Sequence, residues 1–92
     1  MFIHCVLFRI KRTDIPVYKR DCVIWKKEAR QYPGFIGYHT LRRVDKKGQY
    51  ASFYMWKKAA HHKRFMKAHH DRLVSLSHCP VQVLGYYNFQ TV

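Results

Sequence analysis

The sequence predicts an α+β domain in which four strands and two helices follow in the order β-α-β-β-α-β. Two longer segments repeat apolar residues every three to four positions, as amphipathic helices do, and four shorter runs are β-rich. Asp45–Gly48 is a good hairpin turn between the two middle strands. Because βαβ crossovers are right-handed, we expect both helices on one face of a four-stranded antiparallel sheet. The length of 92 residues predicts a single domain, 1–92.

The first strand and the first helix have clear sequence patterns. Phe2–Ile10 carries apolar residues on both faces, which indicates a strand that is covered on both sides. A helix follows Asp14, a candidate N-cap, with Pro16 in its first turn, and Pro33-Gly34 ends it. Its basic residues lie outside one continuous apolar stripe. That stripe consists of Ile15, Tyr18, Cys22, Trp25, Ala29 and Tyr32.

The second half of the chain predicts a hairpin, a helix and a last strand. The hairpin strands are expected over Phe35–Val44 and Gln49–Trp56. The helix is expected over Lys57–Ser77, with His62 at the near end of its apolar face, and the last strand over Val81–Phe89. There are no internal repeats and no linker.

Charge and cysteine content bound the environment of the protein. A formal charge of +13 arises from 18 Lys and Arg against 5 Asp and Glu, which favours contact with polyanions or simply a solvated basic surface. The three cysteines are an odd number without C-x-x-C spacing, which indicates thiols in a reducing compartment. No apolar run approaches the ~20 residues that span a membrane. We therefore expect a cytoplasmic protein without membrane contact.

The chain resembles the antibiotic biosynthesis monooxygenase-like domains of the dimeric α+β barrel superfamily, and among them a poorly characterised bacterial branch. The resemblance rests on Gly34–Tyr38 and on a helix that begins at Lys58, directly after the hairpin. It covers the whole chain in element order, but few of its residues are motif-like. The motif that follows the hairpin consists of Trp56, Phe65-Met66 and His70-Asp71.

This resemblance implies a ferredoxin-like subunit that pairs sheet to sheet as a homodimer, with a small-molecule pocket between its sheet and its helices. Some members of the superfamily oxidise polycyclic phenols with O₂ and no cofactor, so no cofactor is expected here. Others bind and degrade haem. The haem-degrading branch has an asparagine in its first strand, a tryptophan in its second helix and a histidine further along. Here the strand lacks asparagine, and the two helical positions match Phe65 and Ser75.

The resemblance also suggests site residues for a cofactor-independent monooxygenase. His70 is the candidate general base, because an unperturbed imidazole titrates near ~6.5 and could abstract a phenolic or enolic proton. Its alternative role is to anchor the helix through hydrogen bonds. Further candidates are two pocket-wall residues, two histidines that could line the same cavity on inward positions of neighbouring strands, and one hydroxyl donor. They are Trp56 and Phe65, His4 and His39, and Tyr54.

The histidines of the second helix do not predict a metal site. Two metal ligands on one helix need i,i+3 or i,i+4 spacing, whereas His62 and His69 lie ~10 Å apart along the axis at ~1.5 Å per residue. Neighbouring histidines such as His61 and His62 point ~100° apart. No cysteine or carboxylate lies at ligand spacing, so no metal is expected.

Two other functions stay open. A non-catalytic ligand-binding or structural dimer would use the same fold without chemistry. An RNA-recognition motif shares the element order, and Lys47–Tyr54 resembles its basic-glycine-aromatic pattern with the register shifted by one at Gln49. RNA binding on the free sheet face would leave large apolar residues in water, so we favour the dimer.

Overall fold

A computed structural model describes residues 1–92 and confirms the predicted element order. The helices and strands begin and end within two residues of the expected positions, and a short 3₁₀ turn at Arg12–Asp14 leads into the first helix. The Asp14 side chain makes no capping hydrogen bond. The elements are β1 (Phe2–Arg9), α1 (Ile15–Arg30), β2 (Phe35–Arg42), β3 (Gln49–Trp56), α2 (Ala59–Leu76) and β4 (Gln82–Gln90).

The four strands form one antiparallel sheet in the order β2-β3-β1-β4, with both helices on one face. This confirms the ferredoxin-like βαββαβ arrangement. β1 lies between β3 and β4, and its register places His4 opposite Tyr54 on one side and Asn88 on the other. The first and last strands are therefore paired, with β4 at the edge of the sheet.

The core fills the space between the sheet and the two helices. Trp56, Phe65 and Leu73 are fully buried there, and the ring of Trp56 lies 5.4 Å from that of Phe65 between centroids. Tyr18 and Tyr38 both direct their hydroxyls at Ser52 in the same core. Burial raises the pKa of both phenols, so these two hydroxyls stay protonated and act as hydrogen-bonding groups.

A buried carboxylate fastens α1 to the segment that follows α2. Asp21 Oδ2 accepts hydrogen bonds from the backbone N–H groups of His78 (2.9 Å) and Cys79 (2.8 Å). Trp25 Nε1 donates to Ser77 Oγ at 2.8 Å one turn further along α1. These contacts fix the point from which β4 enters the sheet.

Gly34 allows α2 to pack closely against the start of β2. Its φ of +84° lies in the left-handed region that favours glycine. A Cβ at this position would also overlap the ring of His61 in the first turn of α2. The Gly34 carbonyl accepts a hydrogen bond from the Lys57 N–H at 2.8 Å, which sets the direction in which α2 leaves β3.

The sheet face away from the helices, which we call the open face, is mainly apolar. It presents side chains of all four strands, and Phe89 is 53% exposed on it. Its large apolar residues are Ile3, Leu7, Leu41, Phe53, Met55, Tyr87 and Phe89.

Two further observations concern the environment. The three cysteines, Cys5, Cys22 and Cys79, are all free thiols in the structure. Neither helix has the length and the apolar content that crossing a membrane would demand.

Candidate functional site

Two histidines pack against each other between β1 and α2. The ring centroids of His4 and His62 are 4.3 Å apart with an angle of 31° between the planes, and both side chains are buried. His4 extends from the helix-facing side of β1, and His62 lies in the first turns of α2 on its inward face. Because the residues are 58 positions apart, only the fold brings them together.

Asn88 of β4 orients His4. The distance from His4 Nδ1 to Asn88 Oδ1 is 2.7 Å. Since the amide oxygen can only accept, Nδ1 of His4 carries the proton and donates it to this bond. The other ring nitrogen, Nε2, then has a free lone pair. An imidazole whose tautomer is fixed in this way is suited to accept a proton.

Apolar surroundings keep His62 uncharged. Its ring lies 5.5 Å from Phe2 and 6.1 Å from Trp56 between centroids. Burial, and secondarily the neighbouring His4, lower the pKa of His62 from 6.5 to about 4. His62 Nδ1 and Trp56 Nε1 are both buried without a hydrogen-bond partner. The cluster therefore combines a free base with polar atoms that a bound molecule could satisfy.

The cluster lies beside the helix-facing side of β4. Tyr86 is 64% exposed there, with its ring stacked 6.2 Å from that of His4, and Asn88 is also exposed. We call this exposed region around Tyr86 and Asn88, between α2 and β4, the α2–β4 surface. Two cavities of about 320 and 420 Å³ lie elsewhere, along β2, and neither is lined by His4, His62 or Asn88.

His70, the predicted general base, is not part of this cluster. His70 is exposed, its Nδ1 lies 3.2 Å from Asp71 Oδ1, and its ring packs edge-on against Trp25. The reason is helical geometry: His69 takes the inward position against Tyr32, so the next residue turns by ~100° toward solvent.

The expectation that His4 and His39 line one cavity is wrong. β1 and β2 are not neighbours, because β3 lies between them. His39 pairs with Phe53 across β2 and β3, while His4 pairs with Tyr54, so the two histidines extend from opposite faces of the sheet. The pattern of one strand could not reveal this, since the phase of β2 depends on an irregularity between Phe35 and Gly37.

The other predicted site residues lie in the core. Trp56 and Phe65 are each 0% exposed, and Tyr54 is buried between Tyr38 and Trp25. Burial raises the pKa of the Tyr54 phenol. Of the predicted set, the structure places His4 in the histidine pair and Trp56 and Tyr54 beside it.

Sequence reasoning assigned His62 to the apolar face of the helix and overlooked Asn88. Both residues are partners of His4. The alternation of the last strand could have placed Asn88 on the same face as Tyr86, but only the β1–β4 register puts it opposite His4. No three His, Cys, Asp or Glu side chains converge at metal-binding distance.

The fold is shared by several solved structures. A MhuD variant with two manganese protoporphyrin IX molecules bound per active site superposes with a TM-score of 0.79 at 14% identity, covering 100% of this chain and 95% of that one. A protein assigned as an antibiotic biosynthesis monooxygenase from Deinococcus radiodurans gives 0.76 at 14% identity, covering 100% and 93%. The chain has the antibiotic biosynthesis monooxygenase fold.

One further structure of this fold is described as cofactor-independent. SnoaB, a cofactor-independent oxygenase from Streptomyces nogalater, superposes with a TM-score of 0.66 at 15% identity, covering 99% of this chain and 92% of that one. No family model matches the sequence, and no curated protein matches it. At these identities the likeness concerns the antibiotic biosynthesis monooxygenase fold, and site chemistry has to be argued from the residues of this chain.

The lowered pKa of His62 predicts a stability that depends on pH. In the folded chain His62 stays neutral down to about pH 4, whereas in the unfolded chain it gains a proton near pH 6.5. The unfolded state therefore binds more protons between these values, and the free energy of unfolding falls by about 1–3 kcal/mol as pH is lowered through this window. Urea denaturation at several pH values measures this.

A His62→Leu variant is the matched control, because leucine keeps the apolar packing and cannot titrate. We expect its free energy of unfolding to lose most of the decline between about pH 6.5 and pH 4. An equal decline in the variant would show that other groups cause it.

Proposed function

We propose that this protein is a small-molecule-binding homodimer that oxidises an apolar or phenolic substrate with O₂ and without a cofactor. The observation that supports this most is the hydrogen bond between buried His4 and Asn88, which gives a base with a fixed tautomer beside the apolar core. The base proposed here is His4 and not His70. His62 and Trp56 provide the adjoining wall, with polar atoms still free to bind a substrate oxygen.

The proposed reaction begins with proton transfer to His4 Nε2 from an acidic C–H or O–H group of the substrate. The resulting enolate or phenolate gives one electron to O₂, and the superoxide and the carbon radical combine to form a C–O bond. The peroxide takes up a proton and becomes a hydroperoxide. Removal of the second C–H proton then breaks the O–O bond, which forms a ketone and releases water. Each turnover consumes one O₂ and releases one water, and no other oxidant is needed.

The α2–β4 surface is the proposed entrance for the substrate. Tyr86 is the exposed aromatic on this side and can pack against a planar ring. His62 is held neutral, so it does not repel a cationic His4 after proton transfer as strongly as a charged neighbour would. Asn88 is a positioning residue, because it acts on the reaction through His4.

The open face is the proposed dimer interface. Large apolar side chains from all four strands lie on it, and a surface of this kind on a small domain is usually covered by a partner. A second copy, sheet against sheet, would bury Phe53, Tyr87 and Phe89 together. A dimer without catalysis would use the same face, so the two properties need separate tests.

The first test uses anthrone as the probe, because its CH₂ group is flanked by two aromatic rings and is acidic enough for a histidine base. We expect the protein to consume O₂ and form anthraquinone, and His4→Gln to lower kcat/KM by about 10²–10⁴-fold. His70→Ala should keep the activity. An oxygen electrode and product absorbance measure both quantities.

Two variants at position 88 separate orientation from simple packing. Asn88→Ala should lower kcat by about 10- to 100-fold, and Asn88→Asp should restore it with the acid limb of the kcat/KM profile moved to higher pH, because a carboxylate stabilises the imidazolium. The exposed His78→Ala serves as a control. Full activity in His4→Gln would contradict the proposal, as would loss of activity in His70→Ala alone.

The dimer is tested by Phe53→Asp, which places a charge at the centre of the open face. We expect the native protein to be a dimer of about twice 11.2 kDa and the variant to be a monomer, measured by light scattering. Lys46→Asp changes a charge at the exposed hairpin turn and should leave the dimer intact. A native monomer, or a Phe53→Asp dimer, would show that the open face is not the interface.

A further inference from the structure

Half of the 18 lysines and arginines of this protein lie on the two helices, which form one layer over the sheet. Helix α1 carries five lysines and arginines and α2 carries four, while the two helices together hold three acidic residues. Seven of these cations are exposed and make no ion pair. They are Lys19, Arg20, Lys27, Arg30, Lys63, Arg64 and Lys67.

The few acidic residues do not neutralise this layer. Asp21 is buried and bonded to backbone N–H groups, and Glu28 is paired with Arg72 at 3.1 Å. Asp45 is paired with Arg43 at the hairpin, away from the helices, and Asp71 lies beside His70. The seven exposed cations therefore have no protein partner and are free to bind an external anion.

The open face, on the other side of the sheet, differs from the helical layer in its composition. Arg9 at the end of β1 is the single lysine or arginine among its strand residues, and the rest of the face is mainly apolar. Of the aromatic residues in the stretch predicted to resemble an RNA-binding motif, only Phe53 lies on this face, because Tyr50 and Tyr54 point toward the helices. A phosphate backbone would therefore find its cations on the helices and not on the sheet.

The composition of the helical layer favours nucleic acid over a membrane surface. An amphipathic membrane-binding helix needs large apolar or aromatic residues beside its cations. Here the exposed apolar residues of the two helices are the small or isolated side chains of Val23, Val74 and Leu76. The layer can attract phosphates but has little to insert between lipid chains.

The same composition favours a duplex over a single strand. Single-strand binders stack bases on exposed aromatic rings. Trp25 and Tyr32, the aromatic residues of this region, are half-buried in contacts with α2. A duplex, in contrast, offers a regular array of phosphates and needs only cations. The 16 residues of α1 span ~24 Å, which matches about seven base pairs of a duplex.

We propose that the helical layer binds the phosphate backbone of a nucleic-acid duplex without reading its sequence. The binding uses the seven unpaired cations on α1 and α2 and leaves the open face and the His4–His62 cluster free. It goes beyond the oxidation proposed above and does not depend on it, because no residue is shared between the two surfaces.

The test measures binding of the full chain to a fluorescent duplex of about 20 base pairs by anisotropy over a range of salt concentrations. Each phosphate contact contributes about −0.9 to the slope of log K against log salt concentration. We expect a slope of about −3.6 or steeper, since four or more of the seven cations would contact phosphates, and we expect the same slope for duplexes of different sequence. DNA and RNA duplexes serve as separate arms, and binding to either supports the proposal.

Two charge-matched triple variants locate the binding surface. Arg20→Gln/Lys27→Gln/Lys67→Gln removes three charges from the helical layer, so the slope should become shallower by about 3. Lys11→Gln/Lys46→Gln/Lys47→Gln removes three exposed charges outside the helices and should change affinity by less than about twofold.

Four results would overturn the proposal. The first is no duplex binding at about 50 mM salt, and the second is an equal loss of duplex affinity in the two triple variants. The third is tighter binding to a poly-dT single strand than to the duplex. The fourth is binding to phosphatidylserine vesicles without binding to the duplex. Circular dichroism of both variants confirms that the comparison is between folded proteins.

Discussion

Both crossovers of this chain put their helices on the same face of the sheet, and the rest of the structure depends on that constraint. The covered face becomes the core and contains the histidine cluster, while the other face keeps its apolar side chains uncovered. Helices on one side also place nine of the 18 lysines and arginines on that side. The right-handed crossover thus places the His4–His62 cluster between the sheet and the helices, the apolar face on the other side of the sheet, and the helical cations on the outside.

The fold could be predicted because it depends on local patterns. The apolar stripe from Ile15 to Tyr32, the turn at Asp45–Gly48 and the two-faced first strand each specify an element without knowledge of the others. Element boundaries followed from the same signals. The order of elements then left few topologies, and the right-handed crossover selected the observed one.

The site was less predictable because it is built from contacts between distant segments. His4, His62 and Asn88 come from three elements, and their meeting depends on the register of β1 with β4 and on the rotation of α2. The motif-like His70 drew attention by its position in the sequence, but the helix turns it outward. The irregularity in β2 shifts the alternation of its side chains, which places His39 on the open face.

The polar atoms of the His4–His62 cluster are only partly satisfied by hydrogen bonds. The His4–Asn88 hydrogen bond is satisfied, but His62 Nδ1 and Trp56 Nε1 are not. Unsatisfied buried atoms cost stability, typically about 1–3 kcal/mol each, and a bound ligand or water that satisfied them would remove this cost. This combination distinguishes the cluster from the Tyr18–Tyr38–Ser52 group, in which each hydroxyl is bonded.

The central claim is that Asn88 holds His4 as the Nδ1-protonated tautomer with Nε2 free. Long-range ¹H–¹⁵N correlation spectra of the imidazole rings at neutral pH test it directly, with His4→Gln to assign the signals. The account predicts a protonated Nδ1 and an unprotonated Nε2 for His4, and loss of this preference in Asn88→Ala. An Nε2-protonated His4 in the native protein would contradict it.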